Sequence, residues 1–223
     1  MKIKSNSRAN AALTLVEVLI VIATVFILAV LFLMHPSHSS VKVRASRINC
    51  VSNLKQVGLG FRLWSNDNEE KFPWLVSTKK GGTMELVGTG EAWRHYAVVS
   101  DESNSPKILA CTADPLRERT STWTNFSNQN LTYFVGLEAD SKKPDSILAG
   151  DRNVSVNGVA ASSGIVLITS AAATGFTADI HKQAGNIALG DGSAQQINSA
   201  GLTKQLVASE QGGSPATNRL VIP

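Results

Sequence analysis

The stretch AALTLVEVLIVIATVFILAVLFLM, Ala11 to Met34, decides how the rest of the chain is read. It is too apolar for a surface helix and too long for a core strand. At about 1.5 Å of rise per residue, about 20 helical residues cross the roughly 30 Å of a bilayer's hydrocarbon, and Leu13 to Met34 is long enough. Glu17 interrupts the run. A carboxylate inside lipid costs on the order of 3 kcal/mol on insertion scales, so a partner that neutralises it is expected. Ahead of the run, MKIKSNSRANAA carries Lys2, Lys4 and Arg8, has no acid and ends in two small residues, the layout of a leader removed by a peptidase. Cutting between Ala12 and Leu13 creates an amine on Leu13, one helical turn from Glu17 of the same chain and able to meet Glu17 of a neighbour. An uncleaved signal anchor is the alternative, but it has no use for Glu17.

The net charge is +4, and three of the positive charges sit in the leader, so the chain after cleavage keeps about +1 from side chains. The pI near 9.2 therefore does not imply a nucleic-acid partner. A basic segment ahead of a first span stays in the cytoplasm, which places the body outside the inner membrane. The expected organisation is a leader over 1–12, a transmembrane helix over 13–34, an amphipathic stalk helix over 35–65 and an α+β head over 66–223, with enough chain for one sizeable core.

Pro36 should kink or briefly melt the helix after the span. Val41, Ala45, Ile48, Leu54, Val57, Phe61 and Trp64 then recur at mostly three- and four-residue intervals among Lys42, Arg44, Arg47, Asn53, Lys55 and Arg62, which is an amphipathic stripe. Gly58 and Gly60 weaken its last turns, Asn66-Asp67-Asn68 is a plausible stop, and Pro73 forbids continuation. From Phe72 to Asn130 the reading is a short strand at Met84 to Val87, a short helix from Glu91 to Val99 and a turn at Asp114-Pro115. Cys50 on the stalk and Cys111 can pair in an oxidising compartment, closing a loop of about 60 residues worth about 4 kcal/mol on the chain-entropy model. Two buried free thiols are the alternative.

Beyond Asn130 the β signals sharpen. Asn130 to Ala139, Asp145 to Asn153 and Ser163 to Ala171 are β-rich runs, and NIALGDGSAQQIN flanks Asp191-Gly192, a dipeptide suited to a tight hairpin. SAGLTKQLVASEQ reads as a final helix capped by Ser199, with Leu202, Leu206 and Val207 on one face. The tail from Gly212 reads as loose, with LVIP able to add an edge strand.

Ala-Leu-Thr-Leu-Val-Glu followed by an apolar helix resembles the G-F-T-L-x-E signature of type IV prepilins and type II secretion pseudopilins, with Ala12 in place of the usual glycine and Leu13 in place of the commonest phenylalanine. His181, nine residues, then Asp191-Gly192 matches the H-x(9)-D-G motif of a prepilin-processing-associated family, and C-V-S-N-L-K-Q-V-G-L-G and C-T-A-D-P resemble that family's patterns as well. The resemblance covers most of the chain. It implies an α+β pilin fold, cleavage before Leu13 by a prepilin peptidase with methylation of the new terminus, and a non-enzymatic role as a filament subunit partnered by other pilin or pseudopilin subunits. The body would lie in the periplasm or in a surface filament.

His181 and Asp191 lack a nucleophile or metal to complete a catalytic set. Asp151, Asp179 and Asp191 are oxygen ligands in principle, and pseudopilins resembling the secretion type bind calcium in a C-terminal loop, but no D-x-D-x-D-G loop is present. No cofactor or metal is therefore expected. Asp191-Gly192 reads as a hairpin turn and His181 as bonded to a nearby backbone group or carboxylate. The alternative function is an anchored, exported binding module for polysaccharide, with Trp64, Trp74, Trp93 and Trp123 as stacking candidates.

Overall fold

A computed structural model describes residues 14–33, 38–103 and 105–223. The leader, the Ala12–Leu13 bond and the Pro36 kink lie outside the described residues. The chain forms two units, residues 1–41 and 42–223. The first contains helix α1, Leu15–Leu33. Its side chains are exposed throughout residues 14–32, and Leu15–Phe32 is long and apolar enough to cross a membrane.

Helix α2, His38–Asp67, supplies all but its first turn to the second unit. Its buried face is Cys50, Leu54, Val57, Phe61 and Trp64, spaced four and three residues apart so that they fall on one stripe. Val41 lies outside the described side chains, and among those described the stripe starts later than the sequence suggested. Ala45 is exposed, and Ile48 is 68% exposed because it lies two residues from Cys50, about 200° around the helix. The stop comes where expected: the Asn68 side-chain nitrogen donates to the Trp64 carbonyl at 2.8 Å, and Glu69 and Glu70 adopt positive φ.

The segment after α2 is built from short turns. Met84–Thr89 is a 3₁₀ helix and not the strand its apolar residues suggested. Its Glu85 carboxylate accepts from the Ser77 hydroxyl at 2.6 Å and the Thr78 amide at 2.7 Å, which folds the segment back on itself. Helices α3, Ala92–Ala97, and α4, Ser100–Ser103, follow.

The remaining elements in chain order are β1 Tyr133–Gly136, β2 Ile147–Asp151, β3 Val154–Val156, β4 Val159–Ala160, β5 Gly164–Thr169, β6 Thr174–Phe176, β7 Ala184–Leu189, β8 Ala194–Asn198, α5 Ser199–Gln211 and β9 Thr217–Ile222. A six-stranded antiparallel sheet runs β5-β9-β1-β2-β7-β8, and a second sheet runs β4-β3-β6. The fold is therefore α+β, with a larger sheet than expected. Successive strand residues point to opposite faces. Tyr133, Val135, Ala149, Ala188 and Val221 join the α2 stripe in one core. Phe134, Ile147, Ile187, Leu189, Leu220 and Ile222 join Leu202 and Leu206 of α5 and Val154 and Phe176 of the small sheet in the other.

Two expectations near the C-terminus are corrected. The segment read as a loose tail is β9, an interior strand paired with β5 from Gly164↔Ile222 to Thr169↔Thr217 and with β1 at Val135↔Val221. The cap of α5 is Asn198, whose side-chain Oδ1 accepts from the Gly201 amide at 2.8 Å. Ser199 instead accepts from the Phe176 amide at 3.1 Å, which ties the helix to β6, and Val207 is 39% exposed.

Candidate functional site

The H-x(9)-D-G residues meet α2 at two places. At one end, Gly192 takes φ +84° in the β7–β8 turn, its amide donates to the Leu189 carbonyl at 2.9 Å, and the Asp191 carboxylate accepts from the Ser193 amide at 2.8 Å. A side chain on Gly58 would come within 3.1 Å of the Gly192 carbonyl oxygen, so the glycine that weakens α2 is what lets the turn approach it. Arg62 donates to the Ser141 carbonyl at 2.7 Å beside the same turn.

At the other end, Arg47 of α2 donates to the His181 carbonyl at 2.7 Å. The two residues after His181, Lys182 and Gln183, have φ of 55° and 62°, which swings the chain into β7. The imidazole is buried beside the Cys50–Cys111 disulfide, whose Cα atoms are 5.5 Å apart. His181 Nε2 is 3.4 Å from Cys111 Sγ and 3.4 Å from the Asp151 carboxylate. That carboxylate, at the end of β2, accepts from the Asn186 amide at 2.7 Å and from its side chain at 2.9 Å. Cys111 is fixed by its own amide, which donates to the Thr132 hydroxyl at 3.0 Å.

Burial sets the electrostatics. It pushes Asp151 up to about 7, against the pull of the Asn186 bonds, and pushes His181 down to about 4, helped by Arg47. Burial thus disfavours the charged form of both members of the pair. Next to it, Arg152 grips Asp114 with two bonds of 2.7 and 2.8 Å. Burial works against the Asp114 carboxylate, yet the Arg152 bonds and the Leu116 amide outweigh it and hold its pKa below the usual value.

His181 and Asp191 do not form a pair: Asp191 sits in the turn, and the acid at the histidine is Asp151. Nor do Asp151, Asp179 and Asp191 gather into an oxygen-lined loop among the described residues. Asp151 is buried, and Asp179 accepts from the Thr177 hydroxyl at 2.7 Å. What gathers instead is Cys50, Cys111 and His181, whose sulfur and nitrogen atoms lie within 4.8 Å of one another. Sequence reasoning missed Asp151 and Asn186 as neighbours of the histidine; an acid ending the apolar run Ile-Leu-Ala-Gly-Asp was the available signal. The four tryptophans are engaged elsewhere, Trp64 and Trp74 in the core and Trp93 and Trp123 partly covered against it.

Searched against protein-family models, curated proteins and solved structures, the chain matches none of them.

Proposed function

We propose that this protein is a structural subunit of a type IV pilus-like or type II secretion pseudopilus filament, anchored by α1 and processed by a prepilin peptidase before Leu13. The observation that carries the reading is the placement of Glu17, the acid within an otherwise apolar helix whose described side chains are all uncovered. Such a helix needs lipid or other helices around it, and a charge inside it persists only if some gain offsets its cost.

A competing local use for Glu17 is visible. Its carboxylate accepts from the Thr14 amide at 2.8 Å and hydroxyl at 2.9 Å, while the Glu17 amide donates to the Thr14 hydroxyl at 3.3 Å. That is a capping box, Thr-x-x-Glu, which serves a lone helix as well as an assembled one. Glu17→Gln separates the two uses, because glutamine keeps the capping acceptor and removes the charge that would meet the Leu13 amine of a neighbour. The variant is expected to insert and to be cleaved like the parent but to be lost from sheared or cross-linked assemblies. A variant that assembles like the parent leaves capping as the whole role of Glu17, and the anchored binding module becomes the better account.

A further inference from the structure

We propose that the head carries a site for a thiophilic divalent cation such as Zn²⁺, formed by Cys50, Cys111 and His181 Nε2 once the disulfide is reduced, with the Asp151 carboxylate beside the imidazole turning in as the fourth ligand. The disulfide and the cation are then alternative occupants of one buried position. The inference stands on the geometry of the head and is independent of the filament reading.

Four separate segments bring these groups together: α2, the loop after the Pro106–Leu109 turn, the turn before β7 and the end of β2. A tetrahedral zinc site, with bonds of about 2.3 Å to sulfur and about 2.0–2.1 Å to nitrogen or oxygen, needs nitrogen and sulfur about 3.6 Å apart and nitrogen and oxygen about 3.3 Å apart. His181 Nε2 already lies 3.4 Å from Cys111 Sγ and 3.4 Å from Asp151 Oδ2. The nitrogen–oxygen separation exceeds the usual 2.7–3.2 Å of an N–H···O bond, and both separations match the edges of a ligand tetrahedron. The two sulfurs must open to about 3.8 Å apart, which the 5.5 Å between the cysteine Cα atoms accommodates by side-chain rotation. The polar network around the site is also incomplete, since Asp151 Oδ1 and His181 Nδ1 are buried without a hydrogen-bond partner.

The exchange balances. A dithiol reductant supplies two electrons, the Cys50–Cys111 bond breaks, both sulfurs emerge as thiols, and the reductant leaves as its own disulfide. The cation then displaces the two thiol protons and any proton held on Asp151. Thiolate, imidazole and carboxylate together are a donor set that zinc accepts.

The test uses the full chain in detergent, reduced with a phosphine that leaves no competing thiol, and Co²⁺ as the probe. Stoichiometric cobalt with sulfur-to-metal charge-transfer absorption, displaced by Zn²⁺, is expected for the reduced parent, and no such absorption for the oxidised parent. Cys50→Ser should weaken the charge-transfer band, and His181→Gln and Asp151→Asn should each lower affinity by about tenfold or more. A reduced parent that binds no cobalt overturns the proposal. So does equal affinity in reduced His181→Gln, which would mean that cobalt is held by two thiols of an opened chain.

Discussion

A histidine sealed from water resists taking up a proton, and His95 shows the consequence outside the disulfide cluster. It is fully buried, its Nδ1 lies 2.7 Å from the Thr83 hydroxyl, and burial lowers its pKa to about 4. Because the folded value lies below the ordinary one of about 6.5, the unfolded chain binds the proton first, and stability that is complete above pH 6.5 is lost as pH falls towards 4. His181 shifts in the same direction and Asp151 in the opposite one, so those two largely cancel over that window. His95→Gln is expected to flatten the acid limb of a denaturation profile measured from pH 7 to 4, relative to the parent. At Asp114 the partner matters more than the proton: its side chain is fully covered and paired with Arg152. Arg152→Ala should cost about 3–5 kcal/mol by stranding a buried charge, and Asp114→Asn in the same chain should recover part of that in urea denaturation. Neither pair was legible from the sequence. Thr83 and His95, or Asp114 and Arg152, are brought together only by the tertiary fold, whereas the thiols and the His181 motif announce themselves by residue type and spacing.

Helix α2 is where local and tertiary preferences conflict most openly. Glycine costs a helix about 1 kcal/mol against alanine, and the reason Gly58 is tolerated is the backbone of Gly192 pressed against it. Gly58→Leu should therefore lower stability by about 1–3 kcal/mol through overpacking despite its better helix propensity. Gly88→Ala, with nothing near its would-be side chain, should be neutral or slightly stabilising in the same thermal melts. The elements themselves were readable to different degrees. The hairpin at Asp191-Gly192 was plain because turn chemistry is local. Met84–Thr89 was not, because its apolar residues fit a strand and only the Glu85 bonds to Ser77 and Thr78 fold it into a turn. Ile48 is not on the core face for a related reason: period alone does not fix where a stripe begins, and among the described side chains the buried stripe starts at Cys50.

At the scale of the whole head, the disulfide closes a loop across a sequence separation of 61 and staples α2 to the segment ahead of the sheet. Cys50→Ser should lower stability by about 4 kcal/mol on the chain-entropy model, measured as a shift in the urea midpoint of the oxidised, metal-free protein. The broad α+β division was legible, since the apolar run, the amphipathic stripe and the β-rich runs each carry their own periodicity. Strand order was not, because pairing β9 between β5 and β1 is a long-range choice that no local pattern encodes.

That placement of β9 also imposes an order in time. Every other strand precedes residues 217–222 along the chain, yet β5 and β1 meet only through them. A polypeptide delivered from its N-terminus can settle α1 early, but it must hold β1, β2 and β5 with an open seam until the last-arriving segment slots between them. Contacts of such long sequence separation form slowly. Until that final insertion the α2 core lacks Val221 and the α5 core lacks Leu220 and Ile222, so neither core is complete before the last strand arrives.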